Sequence, residues 1–191
     1  MKKNVSLIFL LLVLVCILVG CGELDPANDV VDPNVEQAKK YSIGDVVVLG
    51  EYEYNVCAIE SGEIFLLAKE KLGNAQYSNI TQYTIAHGNE LRELGINIEY
   101  VFLLDYERLD ALGGNKHSVT ISGQPYLCDD APEFVHFEET YWLRGDSKYE
   151  TYTWVYDNGK ILYTQYKEYE YAVRPVVCIK ATEIPEKSTD Q

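Results

Sequence analysis

An acidic window without basic residues is the first part of the chain whose side chains could bind a ligand. No lysine or arginine occurs from His117 to Leu143, and the window contains Asp129, Asp130 and Glu133. Calcium takes several oxygen ligands at close range, and clustered carboxylates supply such oxygens. The spacing matches no EF-hand loop, so a calcium site and a solvated acidic loop both stay open.

Histidine and cysteine residues give little support for catalysis. The chain has His87, His117 and His136, and the residues after His136 do not form the HExxH zinc pattern. A cysteine nucleophile would need an exposed thiol beside a histidine, which no spacing here indicates. We therefore expect no enzymatic activity and, apart from calcium, no cofactor.

Aromatic side chains form a second candidate surface. Tyr152, Trp154 and Tyr156 alternate before Asn158-Gly159, a dipeptide typical of a hairpin turn, so they share one face of a strand. Planar aromatics suit carbohydrate stacking or a protein interface, although Tyr and Trp also favour strands for their own sake. The candidate ligand-binding residues are Asp129, Asp130, Glu133, Tyr152, Trp154 and Tyr156.

The N-terminus carries the most specific pattern in the chain. Lys2-Lys3 and an apolar run from Val5 precede Leu18-Val19-Gly20-Cys21, which resembles the lipobox of bacterial lipoproteins. The resemblance implies removal of residues 1–20 and acylation of the Cys21 thiol, with palmitate among the acyl groups. The apolar run is shorter than the about 20 residues that span a bilayer. We expect a lipid-anchored protein on the extracytoplasmic face of the bacterial cell membrane.

The charge balance restricts the partners. The formal net charge is −14, and the predicted signal segment removes only two lysines, so the mature chain is more acidic still. An acidic surface excludes nucleic acid, which needs a basic footprint, and it repels anionic lipid headgroups. The membrane is therefore a partner through the lipid on Cys21, and the other expected partner is carbohydrate or an envelope protein.

Three cysteines remain after Cys16 and Cys21 are assigned to the signal and the lipid. Outside the cytoplasm a disulfide is permitted, but three cysteines cannot all pair within one chain. Cys57 with Cys178 is the first pairing to expect, since both lie on predicted strands near the two ends of the domain. Buried free thiols are the alternative.

The rest of the chain reads as one domain of mixed class. Strands are predicted near 46–49, 52–59 and 64–68, with a turn at Ser61-Gly62-Glu63. Polar residues 74–88 predict a loop, and residues 89–94 a short helix. The predicted organisation is a signal peptide at 1–20, a lipidated acidic tether at 21–40, an α+β domain at 41–182 and a disordered tail at 183–191.

Three stretches resemble an uncharacterised bacterial domain of unknown function: Tyr41-Ser42-Ile43-Gly44-Asp45-Val46, Val101-Phe102-Leu103-Leu104-Asp105, and Tyr141-Trp142-Leu143-Arg144 with Val173-Arg174-Pro175-Val176-Val177. The ending also resembles the C-type-lectin-like superfamily, including formylglycine-generating-enzyme relatives. The resemblance implies a compact, mostly antiparallel α+β domain with one or two short helices, its two ends paired in one sheet, and a long loop region as the binding surface. It implies that Arg144 and Arg174 are buried hydrogen-bonding supports rather than ligand contacts. The hypothesis is a tethered binding module for carbohydrate or protein, and the alternative is a structural envelope component without a ligand site.

Overall fold

The chain forms an α+β structure in which most strand pairs are antiparallel, as the sequence predicts. The computed structural model describes residues 32–112, 131–146, 151–155, 161–164 and 168–185. Contacts divide the chain into Met1–Val31 and Asp32–Gln191, and all described residues belong to the second unit. No described helix is long and apolar enough to cross a membrane.

Three α-helices, ten strands and three 3₁₀ turns occur in the described residues. The helices are α1 (Pro33–Ala38), α2 (Ile80–Glu93) and α3 (Tyr106–Leu112). The strands are β1 (Val46–Leu49), β2 (Tyr52–Glu60), β3 (Glu63–Ala68), β4 (Asn74–Gln76), β5 (Ile98–Leu103), β6 (Tyr141–Asp146), β7 (Thr151–Val155), β8 (Ile161–Thr164), β9 (Glu170–Ala172) and β10 (Pro175–Lys180). The 3₁₀ turns are Tyr77–Asn79, Glu133–Val135 and Ala181–Glu183.

The first sheet has the strand order β1-β2-β3-β10-β5, and every pair in it is antiparallel. The predicted turn between β2 and β3 is confirmed: Ser61 and Gly62 both have positive φ, at 50° and 87°. Positive φ at both central positions matches the twist of the hairpin arms. The strand order also places the C-terminal strand β10 inside the sheet, between β3 and β5.

The second sheet has the order β4-β9-β6-β7-β8. Its pairs are antiparallel except for a short parallel contact between β6 and β9. Strands β7 and β8 form the two arms of the predicted hairpin, whereas its turn at Asn158-Gly159 lies outside the described residues. Val173 and Arg174 follow β9 and precede β10, so the chain passes at this point from the second sheet to the first.

The core lies on both faces of the first sheet. In β3, Ile64 and Leu66 pack with α2, while Phe65 and Leu67 pack with residues around β6. Both faces being buried explains the continuous apolar run of this strand. The alternation along β3 thus places its side chains in two apolar layers, one on each face of the first sheet.

Helix α2 replaces the loop predicted for residues 74–88, so that prediction is wrong. Its buried face includes Thr84, His87 and Gly88 besides Ile80 and Leu91. These polar or small residues occupy positions that usually carry large apolar side chains, so the sequence lacks a helical apolar period. A Cβ at Gly88 would lie 3.3 Å from Val101 Cγ2, so glycine lets α2 approach β5 closely.

Helix α1 moves the start of the folded unit into the predicted tether. The Asp32 side chain accepts a hydrogen bond of 2.8 Å from Asn34 N–H and caps the helix, and Ala38 is buried in the core. The Asn34 side chain accepts a 2.7 Å hydrogen bond from the Thr182 hydroxyl. Residues 32–40 therefore belong to the domain, because α1 packs against the C-terminal 3₁₀ turn.

Candidate functional site

A groove of about 380 Å³ lies where β2, the end of β3, the turn at 133–137 and the β9–β10 connection meet. It is lined by Asn55, Lys69, Glu133, Phe134, His136, Phe137 and Arg174. The lining combines three basic or ionisable nitrogen side chains with two aromatic rings and one carboxylate. Such a mixture of apolar surface and a few polar groups is typical of small-molecule sites.

Arg174 forms the buried end of this lining. Only 2% of the residue is exposed. Its Nε and Nη2 donate to the carbonyl oxygen of Ala68 at 3.2 and 3.0 Å, and Nη2 also donates to the Phe134 carbonyl at 3.0 Å. Among the described residues, its Nη1 is buried without a hydrogen-bond partner. The predicted supporting role of Arg174 is confirmed, and one nitrogen of the guanidinium remains unused.

The guanidinium of Arg174 contacts aromatic rings and main-chain carbonyls instead of carboxylates. Its Cζ lies 4.4 Å from the Phe137 ring centroid and 5.0 Å from that of Tyr141. No carboxylate of the described residues forms an ion pair with it. Burial lowers the pKa of Arg174, and Tyr141 and Glu70 offset this only in part. An arginine nevertheless stays protonated in a protein, so a cation is held here in a desolvated position.

The turn that carries the aromatic rings is fixed from beneath. Val135 is fully buried, and its carbonyl accepts a 2.8 Å hydrogen bond from the Tyr141 hydroxyl. Burial raises the pKa of Tyr141 to about 12, so this hydroxyl keeps its proton. Lys71 pairs with Glu139 just beyond the turn. The groove wall is therefore held by the core and by an ion pair.

A second cavity of about 320 Å³ lies on the α2 side of the first sheet. It is lined by Glu51, Tyr52, Glu53, Ala68, Lys69, Glu70, Lys71, Leu72 and His87. His87 is 3% exposed, and its Nε2 lies 2.7 Å from the Tyr54 hydroxyl. Its Nδ1 lies 3.6 Å from Glu90 Oε2, and Glu90 accepts a 2.7 Å hydrogen bond from the Tyr52 hydroxyl. This His87 network of two tyrosines, a histidine and a glutamate contains two hydrogen bonds, and among the described residues it leaves His87 Nδ1 buried without a hydrogen-bond partner.

The pKa shifts in this network favour the neutral form of His87, Tyr54 and Tyr52. Burial lowers the pKa of His87, and the hydrogen bond and charge of Glu90 oppose that effect only partly. Burial raises the pKa of Tyr54 well above its ordinary range, and the hydrogen bond to Glu90 raises the pKa of Tyr52 to about 12. His87 is therefore a neutral, buried structural histidine in this fold.

The candidate ligand residues from the sequence divide into three groups. Glu133 lines the groove. Tyr152 and Trp154 lie on β7, where they pair with Thr164 and Leu162 of β8. Asp129, Asp130, Tyr156 and the lipobox residue Cys21 lie outside the described residues. No cluster of three His, Cys, Asp or Glu side chains suited to a metal occurs in the described part of the chain.

The expected disulfide between Cys57 and Cys178 is not formed, and both cysteines are free and buried. Strand β3 lies between their strands, since Phe65 is paired with Cys178 on one side and with Ala58 on the other. Two strand spacings amount to about 9.6 Å. A disulfide needs its Cα atoms within about 7 Å. Burial raises the pKa of each thiol to about 12, so neither is a reactive nucleophile.

Most of the groove was not predicted. Asn55, Lys69, Phe134, His136 and Phe137 were not candidates, because they belong to no motif and only the fold brings the first two to the 133–137 turn. The usable signals were the closing Val173-Arg174-Pro175 stretch and the carboxylate of Glu133. Arg144, expected to be buried like Arg174, is exposed, so that prediction is wrong.

Comparison with the known protein families, with curated proteins and with solved structures finds no match to this chain.

Proposed function

We propose that this chain is a lipid-anchored, extracytoplasmic binding module that takes carbohydrate or an envelope protein in the Arg174 groove. The observation that carries the proposal is the groove itself: two aromatic rings, Lys69 and His136 surround a buried arginine that keeps one unused nitrogen. The turn that carries the rings is held by the buried Val135, whose carbonyl accepts a hydrogen bond from Tyr141. Catalysis is not part of the proposal.

The anchor half of the proposal depends on Leu18-Val19-Gly20-Cys21. One acyl chain holds a protein to a bilayer only marginally, whereas two or more give stable attachment. A strongly acidic domain gains little from anionic headgroups, so the lipid has to supply the attachment. The proposed spacer is the part of the predicted tether that lies between Cys21 and helix α1.

The C-type-lectin-like resemblance belongs to the same proposal. Two features support it: the closing strand β10 and the opening strand β1 share one sheet, and α1 contacts the C-terminal 3₁₀ turn at Ala181–Glu183. Two other strands separate β1 from β10, so the expected pairing of the two ends is wrong, although both strands lie in one sheet. An experimental structure with that superfamily's strand connections would support the resemblance, and different connections would remove it.

The anchor and the binding role need separate experiments. Cells that express the chain are labelled with radioactive palmitate, with Cys21→Ser as the matched control. We expect label and membrane attachment in the wild type and neither in the variant. The purified protein is then applied to a glycan array and to envelope extracts. If the folded protein binds nothing in either experiment, the result contradicts the binding role but not the lipid anchor.

A structural role in the envelope is the second candidate, and the edge strand β1 favours it. Val46 and Val48 are 38% and 46% exposed there, beside the exposed Ile43. An exposed apolar edge strand is a template for pairing with another chain. Sedimentation velocity of the wild type and Val48→Lys distinguishes the two functions. Self-association that Val48→Lys abolishes supports assembly, and a monomer in both proteins opposes it.

A further inference from the structure

The Nη1 nitrogen of Arg174 is a buried donor without a hydrogen-bond partner among the described residues. The guanidinium has two hydrogens on this nitrogen, and no described residue accepts them at hydrogen-bond distance. The Tyr141 hydroxyl interacts with the guanidinium, but it donates its own proton to the Val135 carbonyl and carries no charge. The other two nitrogens are fixed by main-chain carbonyls of Ala68 and Phe134, so the orientation of Nη1 is set before any ligand arrives. A buried donor without an acceptor is costly, and native structures seldom keep one.

The missing acceptor should be negatively charged. Arg174 is a buried cation without an ion pair in the described residues, and buried charges are usually paired. An oxyanion would supply both the acceptor and the counter-charge in one group. Lys69 and His136 line the same groove and favour an anion there, although Lys69 also pairs with Glu53 at 2.5 Å.

The surroundings favour a singly charged ligand with a ring. The net charge of −14 and Glu133 at the groove repel anions, and this repulsion grows with the charge of the ligand. A carboxylate carries one charge, while phosphate carries more. Phe134 and Phe137 offer apolar surface on which a pyranose ring can pack. The groove volume of about 380 Å³ accommodates a ligand of monosaccharide size.

We infer that the Arg174 groove binds the carboxylate of an acidic sugar, with one carboxylate oxygen on Arg174 Nη1 and the ring against Phe134 and Phe137. This inference depends on the proposed binding function and names the ligand class of the same site. Carbohydrate is the class of partner it selects. A hydroxyl of a neutral sugar can accept a hydrogen bond from Nη1, but it lacks the negative charge that would pair with the guanidinium.

Titration calorimetry of the purified mature protein with D-glucuronate, D-glucose and inorganic phosphate tests the inference. We expect saturable binding of glucuronate at least about tenfold tighter than binding of glucose, because a charged hydrogen bond is gained. Phosphate should bind more weakly than glucuronate. Equal affinities for glucuronate and glucose, tighter binding of phosphate, or no glucuronate binding would overturn the inference.

Variants tie the binding to the groove. Arg174→Lys keeps the charge but loses the planar fork, so we expect glucuronate affinity to fall about tenfold or more. Because that variant could fail to fold, Lys69→Gln provides a second test with Lys71→Gln as its control. Both lysines pair with a glutamate, but only Lys69 lines the groove. We expect Lys69→Gln to weaken binding about threefold and Lys71→Gln less than about twofold.

Equal effects of Lys69→Gln and Lys71→Gln would overturn the assignment to the groove. A folded Arg174→Lys protein with unchanged glucuronate affinity would do the same. Failure of this inference is separable from failure of the binding role. Suppose that the protein binds neutral glycans on the array or an envelope protein in the pull-down but does not bind glucuronate. The binding role would then stand, and the inference of an acidic sugar would be wrong.

Discussion

Arg108 and Arg174 are two buried or half-buried arginines that differ in their partners. Both lie over aromatic rings: Arg108 Cζ is 4.2 Å from the Phe65 centroid, and Arg174 Cζ is 4.4 Å from that of Phe137. Arg108 pairs with Asp105 and with Glu60, the latter at 3.1 Å. Arg174 has main-chain carbonyls instead of carboxylates.

The difference is that the charge of Arg108 is paired with carboxylates, whereas the charge of Arg174 has no carboxylate partner among the described residues. Burial works against the charge of Arg108, but the carboxylates of Asp105 and Glu60 outweigh it and raise the pKa of Arg108. Burial lowers the pKa of Arg174 because nothing comparable compensates it. Arg108 also leaves Nε without a partner among the described residues, but its charge is already neutralised. Only Arg174 therefore has a counter-charge to gain from a ligand.

The largest expected effect comes from removing each arginine in turn. Arg174→Met leaves the Ala68 and Phe134 carbonyls without their donors, so we expect a loss of about 3–5 kcal/mol in unfolding free energy. Arg108→Met should cost about 1–2 kcal/mol, because its ion pairs are partly solvated. Urea unfolding of the purified proteins measures both. Equal losses of unfolding free energy in the two variants would contradict the claim that the two arginines differ in how their charge is compensated.

The His87 network is buried and polar like Arg174, and His87 Nδ1 also lacks a hydrogen-bond partner among the described residues, but removing one of its hydrogen bonds should cost less. Tyr54→Phe removes the hydroxyl that contacts His87 Nε2, and we expect a loss of about 1–3 kcal/mol because a buried nitrogen loses its partner. Tyr52→Phe, whose hydroxyl bonds the exposed Glu90, is the control and should cost less than about 1 kcal/mol. The same urea experiment applies. A larger loss for Tyr52→Phe would mean that Glu90 rather than burial holds the network.

The pH dependence of stability follows from the same histidine. The pKa of His87 is lowered in the folded protein, so below its ordinary pKa of about 6.5 the unfolded chain binds more protons. Stability is full above that pH and is lost as the pH falls toward the folded-state pKa. Tyr52, Tyr54 and Glu90 face the ring, and His87→Gln should flatten the slope between about pH 7 and 5. An unchanged slope would contradict a buried neutral His87.

The smallest expected effect concerns the ion pair beside the groove. Lys71→Met removes the pair with Glu139, whose side chains are partly exposed, and should cost less than about 1 kcal/mol. The loss should shrink further in high salt, since screening weakens an exposed pair. Thermal unfolding at two salt concentrations measures it. A loss comparable with that of Tyr54→Phe would show that the pair, not the core, holds the groove wall.

The sequence predicted the fold where local chemistry decides it. The Ser61-Gly62 turn and the apolar runs of β2 and β3 needed only turn residues and β-branched side chains. Helix α2 was missed because Thr84, His87 and Gly88 occupy its buried face, and their burial depends on Tyr54 and β5. Local propensity carries no information about such tertiary partners.

The groove could be predicted only in part for the same reason. Glu133 was a candidate for its charge, and Arg174 was recognised as a buried support. Lys69 and His136 come from other elements, and only the fold brings them beside Arg174. The disulfide prediction was wrong because strand order, which a sequence does not display, puts β3 between Cys57 and Cys178.

The central claim is that Nη1 of Arg174 donates to the carboxylate of a ligand, whereas Arg108 is already paired with Asp105 and Glu60. Nitrogen-15 NMR of the arginine side chains tests it directly, with D-glucuronate added to the labelled protein and Arg174→Lys used for assignment. The account predicts a saturable shift of the Arg174 Nη1 signal and no shift of the Arg108 signals. An unchanged Arg174 signal, or equal shifts at both arginines, would contradict it.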